Sequence, residues 1–357
     1  MDVRFFLGAN SGVGFYSLYD GFCAGRGDFL NLIKAGPGGG KSHFMRAIAS
    51  AAAQRGYDTQ CILCSGDPSS LDAVYIPALR LGYMDATAPH ALEPRCFAQN
   101  SRYVNLGEFC KSFCDPRTEP LMQKYRSEYN AAYAYLSAAA SVEKVGASEV
   151  ITPDIITKTR QRARSAAQRE LGKGQQGEGS VAYRFISCIS CEGKLTLTDS
   201  INKLCKRIYV LDDRCFLARE YLDELLREAK RRQESVIACP SALLPDTLEA
   251  LLLPQRSLGF VSRRVMQPES AWRHVRLDAL VPRESAREAR GALRKNESIR
   301  RELTLEALRL LARATIKTPA ASAMTAARPI SAARASHRGA VCAAEKINIT
   351  AEESLPR

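Results

Sequence analysis

The chain has 357 residues, a length that predicts two or three domains and excludes a single small one. Apolar residues make up 46% of it and charged residues 25%, so most of the chain can bury a core, and a disordered polyelectrolyte is excluded. With 51 Lys and Arg against 38 Asp and Glu, the net charge of +13 favours anionic partners such as nucleotides, nucleic acid or acidic membrane surfaces.

The N-terminal segment lacks the cationic stretch, long apolar core and cleavage site of a secretory signal. No run approaches the ~18 apolar residues of a membrane span. We therefore expect no membrane span and a cytoplasmic location. The twelve cysteines would then be reduced and would act mainly as small core residues.

Three cysteine pairs have a spacing that bears on metal or redox chemistry: Cys61 with Cys64, Cys188 with Cys191, and Cys110 with Cys114. A zinc ribbon places two C-x-x-C pairs close together in the sequence, whereas these two are far apart. A thioredoxin-like role requires a helix start, and the pairs fall in strand-like runs. The pattern favours buried core cysteines over a shared zinc or redox site.

An alternation of strand-like and helix-like patterns begins at Phe29. FLNLIK at 29–34 predicts a strand, a glycine-rich turn follows, and apolar residues at three- and four-residue intervals from Phe44 predict a helix with one apolar face. TQCILC and LGYMD, which ends at Asp85, predict further strands, and a helix is predicted at about 118–140. This order predicts an α/β domain with helices packed on a parallel sheet.

The glycine-rich segment GKGQQGEGS at 172–180 predicts a flexible linker between domains. The predicted division is a first domain at 1–150, a helical and flexible linker at 151–180, a second domain at 181–282, and a basic helix with a tail at 283–357. The second domain is predicted to repeat the first, because four residues recur at a constant spacing of 177 positions. They are Leu71, Pro77, Leu81 and Gly82, which match Leu248, Pro254, Leu258 and Gly259.

The last segment, from Arg283 to the C-terminus, holds fifteen Lys or Arg and eight Asp or Glu. Its first part predicts a basic helix at about 286–314 with an apolar side made of leucines. Those leucines are Leu303, Leu305, Leu308, Leu310 and Leu311. The remainder is rich in Ala, Ser and Arg and is predicted to be disordered or weakly helical. A solvated tail is the favoured reading, and a phosphate-bearing polymer or a protein partner is the alternative.

The strongest local signal is AGPGGGKS, which matches the phosphate-loop pattern G-x-x-x-x-G-K-[ST] with alanine in place of the first glycine. A strand precedes it and an amphipathic helix follows, so backbone N–H groups and a helix N-terminus would surround phosphates. The predicted nucleotide-binding residues are Ala35, Gly36, Pro37, Gly38, Gly39, Gly40, Lys41, Ser42 and His43. Lys41 would neutralise phosphate charge, and the Ser42 hydroxyl would bind Mg²⁺. ATP and Mg²⁺ are the predicted ligands.

A phosphate-loop enzyme also needs a carboxylate near the metal, commonly at the end of a neighbouring strand. Asp85 closes LGYMD and is the first choice as a metal ligand. Asp67, which follows TQCILC, is the second, as a metal partner or as a base that positions the attacking water. For either residue a helix-capping or turn aspartate is an equally good interpretation. His90 lies in the segment after Asp85, where a structural histidine is more common than a catalytic one.

The repeat predicts that the second phosphate loop is degraded. Alignment of IYVLDDRCFLAREYLDEL with LNLIKAGPGGGKSHFMRA places Arg219 opposite Lys41 and Glu220 opposite Ser42, and the glycines are absent. An acidic residue then stands where Mg²⁺ needs a hydroxyl. The second domain is therefore expected to keep the fold without binding nucleotide in the standard way.

Several motifs in one order resemble an uncharacterised bacterial family of tandem P-loop ATP-binding proteins. They are GFYSLYD at 14–20, IKAGPGGGKS at 33–42, CSGDPSSLDAVYIPAL at 64–79, MDATAPH at 84–90 and VNLGEF at 104–109. The resemblance implies two P-loop NTPase-like domains with ATP binding and hydrolysis. Family members carry a phosphate loop in both halves and a His-Asp pair in the last helix. This chain departs from both features, since AREARGALR at 286–294 lacks that pair.

Three functions are consistent with the sequence. The first is a Mg²⁺-dependent ATPase in which Lys41, Asp67 and Asp85 carry the catalysis. The second is a small-molecule or nucleotide kinase on the same fold, since a phosphate loop alone does not identify the acceptor. The third is a nucleotide-responsive scaffold with little turnover.

Overall fold

The computed structural model describes residues 2–36, 39–87, 93, 99–109, 118–148, 151–174 and 178–314. Within these ranges the chain forms a mixed α/β structure with two six-stranded sheets and two separate two-stranded hairpins. Pro37, Gly38, His90, Cys110 and Cys114 lie outside the described residues, as does the tail from position 315.

The first half contains eight strands and two α-helices among its described residues. They are β1 (Asp2–Phe6), β2 (Gly8–Ser11), β3 (Gly14–Ser17), β4 (Phe29–Lys34), α1 (Lys41–Gln54), β5 (Thr59–Leu63), β6 (Leu71–Ile76), β7 (Leu81–Asp85), β8 (Ser101–Asn105) and α2 (Thr118–Ser148). The strand predicted at 29–34 is confirmed, and so is the strand at 81–85. The helix predicted at about 118–140 continues to Ser148.

The second half contains eight strands and five helices among its described residues. They are α3 (Pro153–Leu171), β9 (Val181–Tyr183), β10 (Ser187–Ser190), β11 (Gly193–Thr196), α4 (Thr198–Leu204), β12 (Arg207–Leu211), α5 (Ala218–Arg231), β13 (Val236–Pro240), β14 (Leu248–Leu253), β15 (Leu258–Ser262), β16 (Arg273–Val275), α6 (Arg283–Glu288) and α7 (Arg290–Ala314).

The two large sheets share one strand order. The first runs β1-β5-β6-β7-β4-β8, and the second runs β9-β13-β14-β15-β12-β16 in the corresponding direction. The spacing of 177 positions also holds for backbone geometry. Arg80 and Ser257 are that far apart, and both adopt a left-handed φ, 50° and 48°, in the turn before β7 and β15.

Five strands of each large sheet run parallel, and one does not. β6 pairs antiparallel with both β5 and β7, and β14 does the same with β13 and β15. The prediction of a wholly parallel sheet is wrong for this strand. The physical reason is the connection: only a short loop separates β5 from β6, and a parallel neighbour needs a crossover of a dozen or more residues.

The two sheets face each other across a shared core. Alternate residues of the first sheet, among them Phe5, Ile62 and Met84, belong to one buried cluster with Val210 and Cys239 of the second sheet. Phe6 and Phe185 add a backbone link, because each N–H donates to the other's carbonyl oxygen at 2.9 Å. Each half therefore supplies one wall of the same core.

Helices cover the outer faces. On the first sheet, Phe44 of α1 meets Tyr83 of β7 with ring centroids 6.1 Å apart. On the second sheet, Tyr221 of α5 meets Phe260 of β15 at 6.2 Å. These two ring pairs are also 177 positions apart.

Helix α3 is part of the second half's core, although it falls in the segment predicted as a linker at 151–180. Ile155, Ala163 and Ala167 are buried against α5 and the outer face of the second sheet. The alanines leave room for close helix packing, and the basic side chains between them pair with α5: Arg164 Nε lies 2.6 Å from Glu224 Oε1. The polar residues that suggested a linker form the outer surface of a packed helix.

Helices α2 and α7 pack along each other and close a third cluster, with Ala132 and Leu136 on α2 facing Ala307 and Leu311 on α7. The predicted basic helix is confirmed as α6 and α7. The prediction that Leu305 belongs to the apolar side of this helix is wrong, since Leu305 is 45% exposed. None of the helices that the structure describes is both long and apolar enough to cross a bilayer.

Because the core is shared, Phe5→Ala should destabilise both halves together. Phe5 is fully buried, and a Phe→Ala change of this kind costs about 3–5 kcal/mol of unfolding free energy. Urea unfolding followed by far-UV circular dichroism and by the fluorescence of the single tryptophan, Trp272, should give one coincident, lowered midpoint. Val13→Ala, at a side chain that is 71% exposed, is the control and should change stability by less than about 0.5 kcal/mol. A Trp272 midpoint that stays at the wild-type value in Phe5→Ala would refute the shared core.

Candidate nucleotide-binding site

The segment between β4 and α1 has the backbone of a tight turn leading into a helix. Gly40 precedes the first helical residue with φ 80°, a left-handed value that glycine adopts without strain. The N–H of Gly39 donates to the Gly36 carbonyl at 3.0 Å, and the N–H of Phe44 donates to the Gly40 carbonyl at 2.9 Å. The N-terminus of α1 therefore lies at this turn, and the positive end of a helix dipole favours an anion.

Lys41 holds its ammonium group inside this turn. Its Nζ donates to the carbonyl oxygens of Ala35 at 2.9 Å and Gly36 at 3.3 Å, and it lies 3.5 Å from Oδ2 of Asp85. The side chains of Lys41 and Asp85 are only 13% and 14% exposed. The positive charge is therefore fixed beside the helix N-terminus.

Asp85 reaches this position because β7 is the parallel neighbour of β4, with Ile33 paired to Asp85 at the carboxyl end. Its Oδ1 accepts hydrogen bonds from the backbone N–H of Thr87 at 2.9 Å and from the Thr87 hydroxyl at 2.5 Å. The other oxygen faces Lys41. The acid predicted first as a metal ligand thus lies directly beside the predicted phosphate loop.

Ser42 lies in the first turn of α1, and its hydroxyl oxygen accepts the N–H of Leu71 at 2.9 Å. This bond joins α1 to the start of β6. A hydroxyl that accepts one bond keeps its own O–H and a further lone pair. His43, the next residue, is exposed, and Ala35 is buried at the end of β4.

Asp67 is on the same sheet edge, but its carboxylate is engaged in its own turn. Oδ1 accepts the N–H of Ser69 at 3.1 Å and its hydroxyl at 2.6 Å, and Oδ2 accepts the Ser70 hydroxyl at 2.7 Å. Arg46 of α1 donates to the Ser69 carbonyl, which holds the turn against the helix. No contact joins Asp67 to Lys41 or Asp85 among the described residues. The geometry favours the turn interpretation of Asp67.

Two groups at the site have no sequence motif of their own. Thr87 fixes the Asp85 carboxylate, and a D-x-T turn after a strand is the signal that could have found it. Lys34 donates from Nζ to the carbonyl of Ala86 at 2.7 Å and tethers the segment that follows β7.

The donor set fits a hard cation bound together with phosphate. Serine hydroxyl and aspartate oxygens suit Mg²⁺, which keeps several waters and shares its ligands with phosphate groups. Across the described ranges no three His, Cys, Asp or Glu side chains form a metal cluster. Ser42 and Asp85 are the residues that could hold Mg²⁺ with a bound triphosphate.

Two of the three cysteine pairs lie at the ends of strands. Cys61 is in β5 and Cys188 in β10, each followed three positions later by the second cysteine just beyond the strand. Burial raises the pKa of Cys61 to about 12 and that of Cys188 to about 12. Thiols that stay protonated are poor nucleophiles, which supports a packing role for these two.

The second half lacks this site, and its own side chains fill the corresponding position. The N–H of Ala218, the first residue of α5, donates to Oδ1 of Asp213 at 3.1 Å. The other oxygen of Asp213 accepts the Ser262 hydroxyl at 3.0 Å and lies 3.1 Å from Nε of Arg264. Arg264 in turn donates to Glu143 of α2 at 2.7 Å. An internal carboxylate thus lies at the helix N-terminus that corresponds to the predicted phosphate loop of the first half.

The helix bounds correct the predicted alignment by one position. α1 begins at Lys41 and α5 at Ala218, so Ala218 corresponds to Lys41 and Arg219 to Ser42. β4 and β12 keep the 178-position offset of the predicted alignment, because Ile33 pairs with Asp85 and Leu211, 178 positions later, pairs with the corresponding Ser262. The second loop is therefore one residue shorter. It still lacks a lysine and a hydroxyl at the required places.

Comparison with protein-family models, with curated proteins and with solved structures found no match to this chain. The assignment of a function therefore depends on the geometry of the site.

One buried carboxyl in the second half, that of Glu249, has a strongly raised pKa. Glu249 corresponds to Asp72 of the first half, which accepts a 2.6 Å hydrogen bond from the hydroxyl of Tyr19. Glu249 accepts a hydrogen bond from the hydroxyl of Ser187 and is 6% exposed. Burial raises its pKa to about 7, against the opposing effect of Lys194.

Glu249 should make the protein less stable as the pH rises. The unfolded chain ionises this carboxyl near pH 4.3, whereas the folded protein keeps the proton until about pH 7. The folded state binds more protons in this window, so the unfolding free energy should fall between about pH 4 and 7, by up to roughly 3 kcal/mol. Glu249→Gln keeps a hydrogen-bonding side chain without the charge and should lack this fall. Urea unfolding of both proteins at pH 5, 6, 7 and 8 tests it, and parallel pH profiles would show the expectation to be wrong.

Proposed function

We propose that the first half is a P-loop nucleotide-binding domain that binds Mg-ATP between Ala35 and His43 and hydrolyses it. The observation that carries the proposal is the arrangement of Lys41, the N-terminus of α1 and Asp85 around one turn at the carboxyl edge of the sheet. A sequence match alone would not have required the acid to lie on the adjacent strand.

Each residue has a defined role in this proposal. The Lys41 ammonium group neutralises charge on the β- and γ-phosphates, and the N–H groups at the start of α1 donate to phosphate oxygens. Ser42 and Asp85 hold the metal, with Thr87 fixing the orientation of the Asp85 carboxylate. Bound magnesium supplies charge stabilisation of the transferring phosphoryl group.

A nucleotide-responsive scaffold with little turnover is the second candidate. It is favoured by the engagement of Asp67 in its own turn, where both carboxylate oxygens accept hydrogen bonds from Ser69 and Ser70. The kinase alternative has no comparable structural support. ADP release measured with and without nucleoside and metabolite acceptors separates the three: hydrolysis alone, acceptor-dependent release, or tight binding with negligible release.

Lys41→Ala should weaken ATP binding by at least about 30-fold, because loss of one partner of a desolvated charge contact costs about 2 kcal/mol or more. Isothermal titration with ATP and Mg²⁺ measures the dissociation constant. Arg219→Ala is the matched control, since Arg219 lies in the first turn of α5 and should have no effect. Wild-type affinity in Lys41→Ala would eliminate the proposed site.

Asp85→Asn and Asp67→Asn distinguish the two candidate acids. Asp85→Asn retains an oxygen for Thr87 but loses the charge, and turnover should fall by about 100-fold or more while ATP still binds without Mg²⁺. Asp67→Asn keeps most bonds of its turn and should reduce turnover by less than about tenfold. Phosphate release at increasing Mg²⁺ concentrations is the measurement. The reverse ranking of the two variants would assign the metal to Asp67.

A further inference from the structure

The outer edge of the second sheet carries an unusual combination of side chains. β16 pairs with β12 on one side, and it is the last strand of its sheet. The residue just before it, Trp272, is the single tryptophan of the chain and is 59% exposed. Its N–H donates to the carbonyl of Ile208 at 2.8 Å, so its backbone is fixed to the sheet while the indole faces solvent.

Arginines lie along the same edge of the sheet. Arg273 and Arg276 are exposed, and no carboxylate pairs with either one in the part of the chain that the structure describes. Arg162 of α3 donates from Nη1 to the carbonyl of Arg276 at 2.8 Å, which brings a third guanidinium group to the same edge. We name Arg162, Trp272, Arg273 and Arg276 the β16 edge surface.

Two neighbouring carboxylates contact groups outside the β16 edge surface. Oδ1 of Asp212 lies 2.7 Å from Nε2 of His274 and 3.9 Å from Nη1 of Arg263. Asp278 accepts the backbone N–H groups of Arg214 and Cys215. These two acids are committed to local contacts. The nearest exposed carboxylate along the chain, Glu269, precedes the edge on the 3-10 helix Pro268–Ser270.

We propose that the β16 edge surface binds single-stranded nucleic acid, with a base stacked on the Trp272 indole and the arginines contacting flanking phosphates. Single strands offer both an exposed base face and a regular series of negative charges, and aromatic side chains within a basic surface are how proteins bind them without sequence preference. A duplex hides its base faces. A membrane needs a broad apolar face, and this edge has one large apolar side chain.

The inference is independent of the proposed ATP site. The β16 edge surface belongs to the half whose phosphate loop is filled by Asp213, and it does not include the tail beyond position 314. The net charge of +13 would accelerate association with a polyanion at low salt.

The single tryptophan provides a direct measurement at the surface itself. Titration of the full chain with oligo(dT) and with oligo(U) should quench Trp272 fluorescence to saturation, because a stacked base contacts the only indole. Quenching by one of the two identifies the preferred sugar and supports the proposal, as does quenching by both. The logarithm of affinity should fall linearly with the logarithm of salt concentration.

Variants separate this surface from other basic regions. In fluorescence anisotropy with labelled oligo(dT), Trp272→Ala should weaken binding about 5- to 150-fold, and Trp272→Phe should restore most of the affinity. The double variant Arg273→Ala, Arg276→Ala should reduce the salt slope by about 1.4, or 0.7 per lost phosphate contact on a single strand. Tyr135→Ala and Arg309→Ala, at exposed positions on α2 and α7, are the matched controls and should bind like wild type. Circular dichroism confirms folding of each variant.

Three results would overturn the proposal. The first is an absence of quenching by either oligonucleotide at low salt. The second is unchanged oligonucleotide affinity in a variant that combines the Trp272→Ala, Arg273→Ala and Arg276→Ala changes. The third is equal quenching by poly-glutamate or by anionic lipid vesicles, which would show attraction of charge without base stacking.

Discussion

The fold depends on one packing arrangement, the burial of each sheet against the other. A sheet of mainly parallel strands needs cover on both faces. Here α1 covers the outer face of the first sheet, and α3 with α5 covers that of the second. The inner faces meet in one cluster that includes Ile62 and its counterpart Cys239, and Ile201 of α4 is buried in the same cluster. Each sheet is therefore buried on its inner face by residues of the other half.

This constraint explains why the second half persists without a phosphate loop. Its strands must keep the alternation of inner-facing and outer-facing residues, and they do. Val261 faces the shared core and Phe260 faces α5. In the first half, Met84 faces the shared core and Tyr83 faces α1. The loop before α5 is under no such requirement. There Asp213 and Arg264 satisfy each other and the helix N-terminus, and Arg264 joins Glu143 of α2 to the second sheet. The position that corresponds to the candidate site of the first half is therefore occupied by contacts between elements in the second half.

Local patterns in the sequence predicted the parts of the structure that depend on local physics. The strand ending at Lys34, the glycine-rich turn and the helix from Lys41 follow from periodicity and glycine placement, and Asp85 follows from its position at a strand end. Antiparallel β6 and the burial of α3 depend on which distant surface each element meets. The polar run of α3 has the same composition whether it is a linker or a helix whose arginines pair with α5. The role of Asp67 was undecided for a related reason, because hydrogen bonds to Ser69 and Ser70 leave no trace in residue spacing.

The geometry of the candidate site follows from how its strands are held. On β7, Met84 packs in the shared core and Tyr83 packs on Phe44 of α1, so the strand is fixed from both faces immediately before Asp85. On β4, Leu32 and Ile33 are divided between the same two cores. The Asp85 carboxylate is at the end of one of these strands and the glycine-rich turn follows the other, so their separation is constant. Charge stabilisation of a phosphoryl group requires such preorganisation. Because the second half fixes its equivalent strands in the same way, the chemical differences between the halves lie at the ends of these strands and in the first turn of the following helix, where Lys41, Ser42 and Asp85 correspond to Ala218, Arg219 and Ser262.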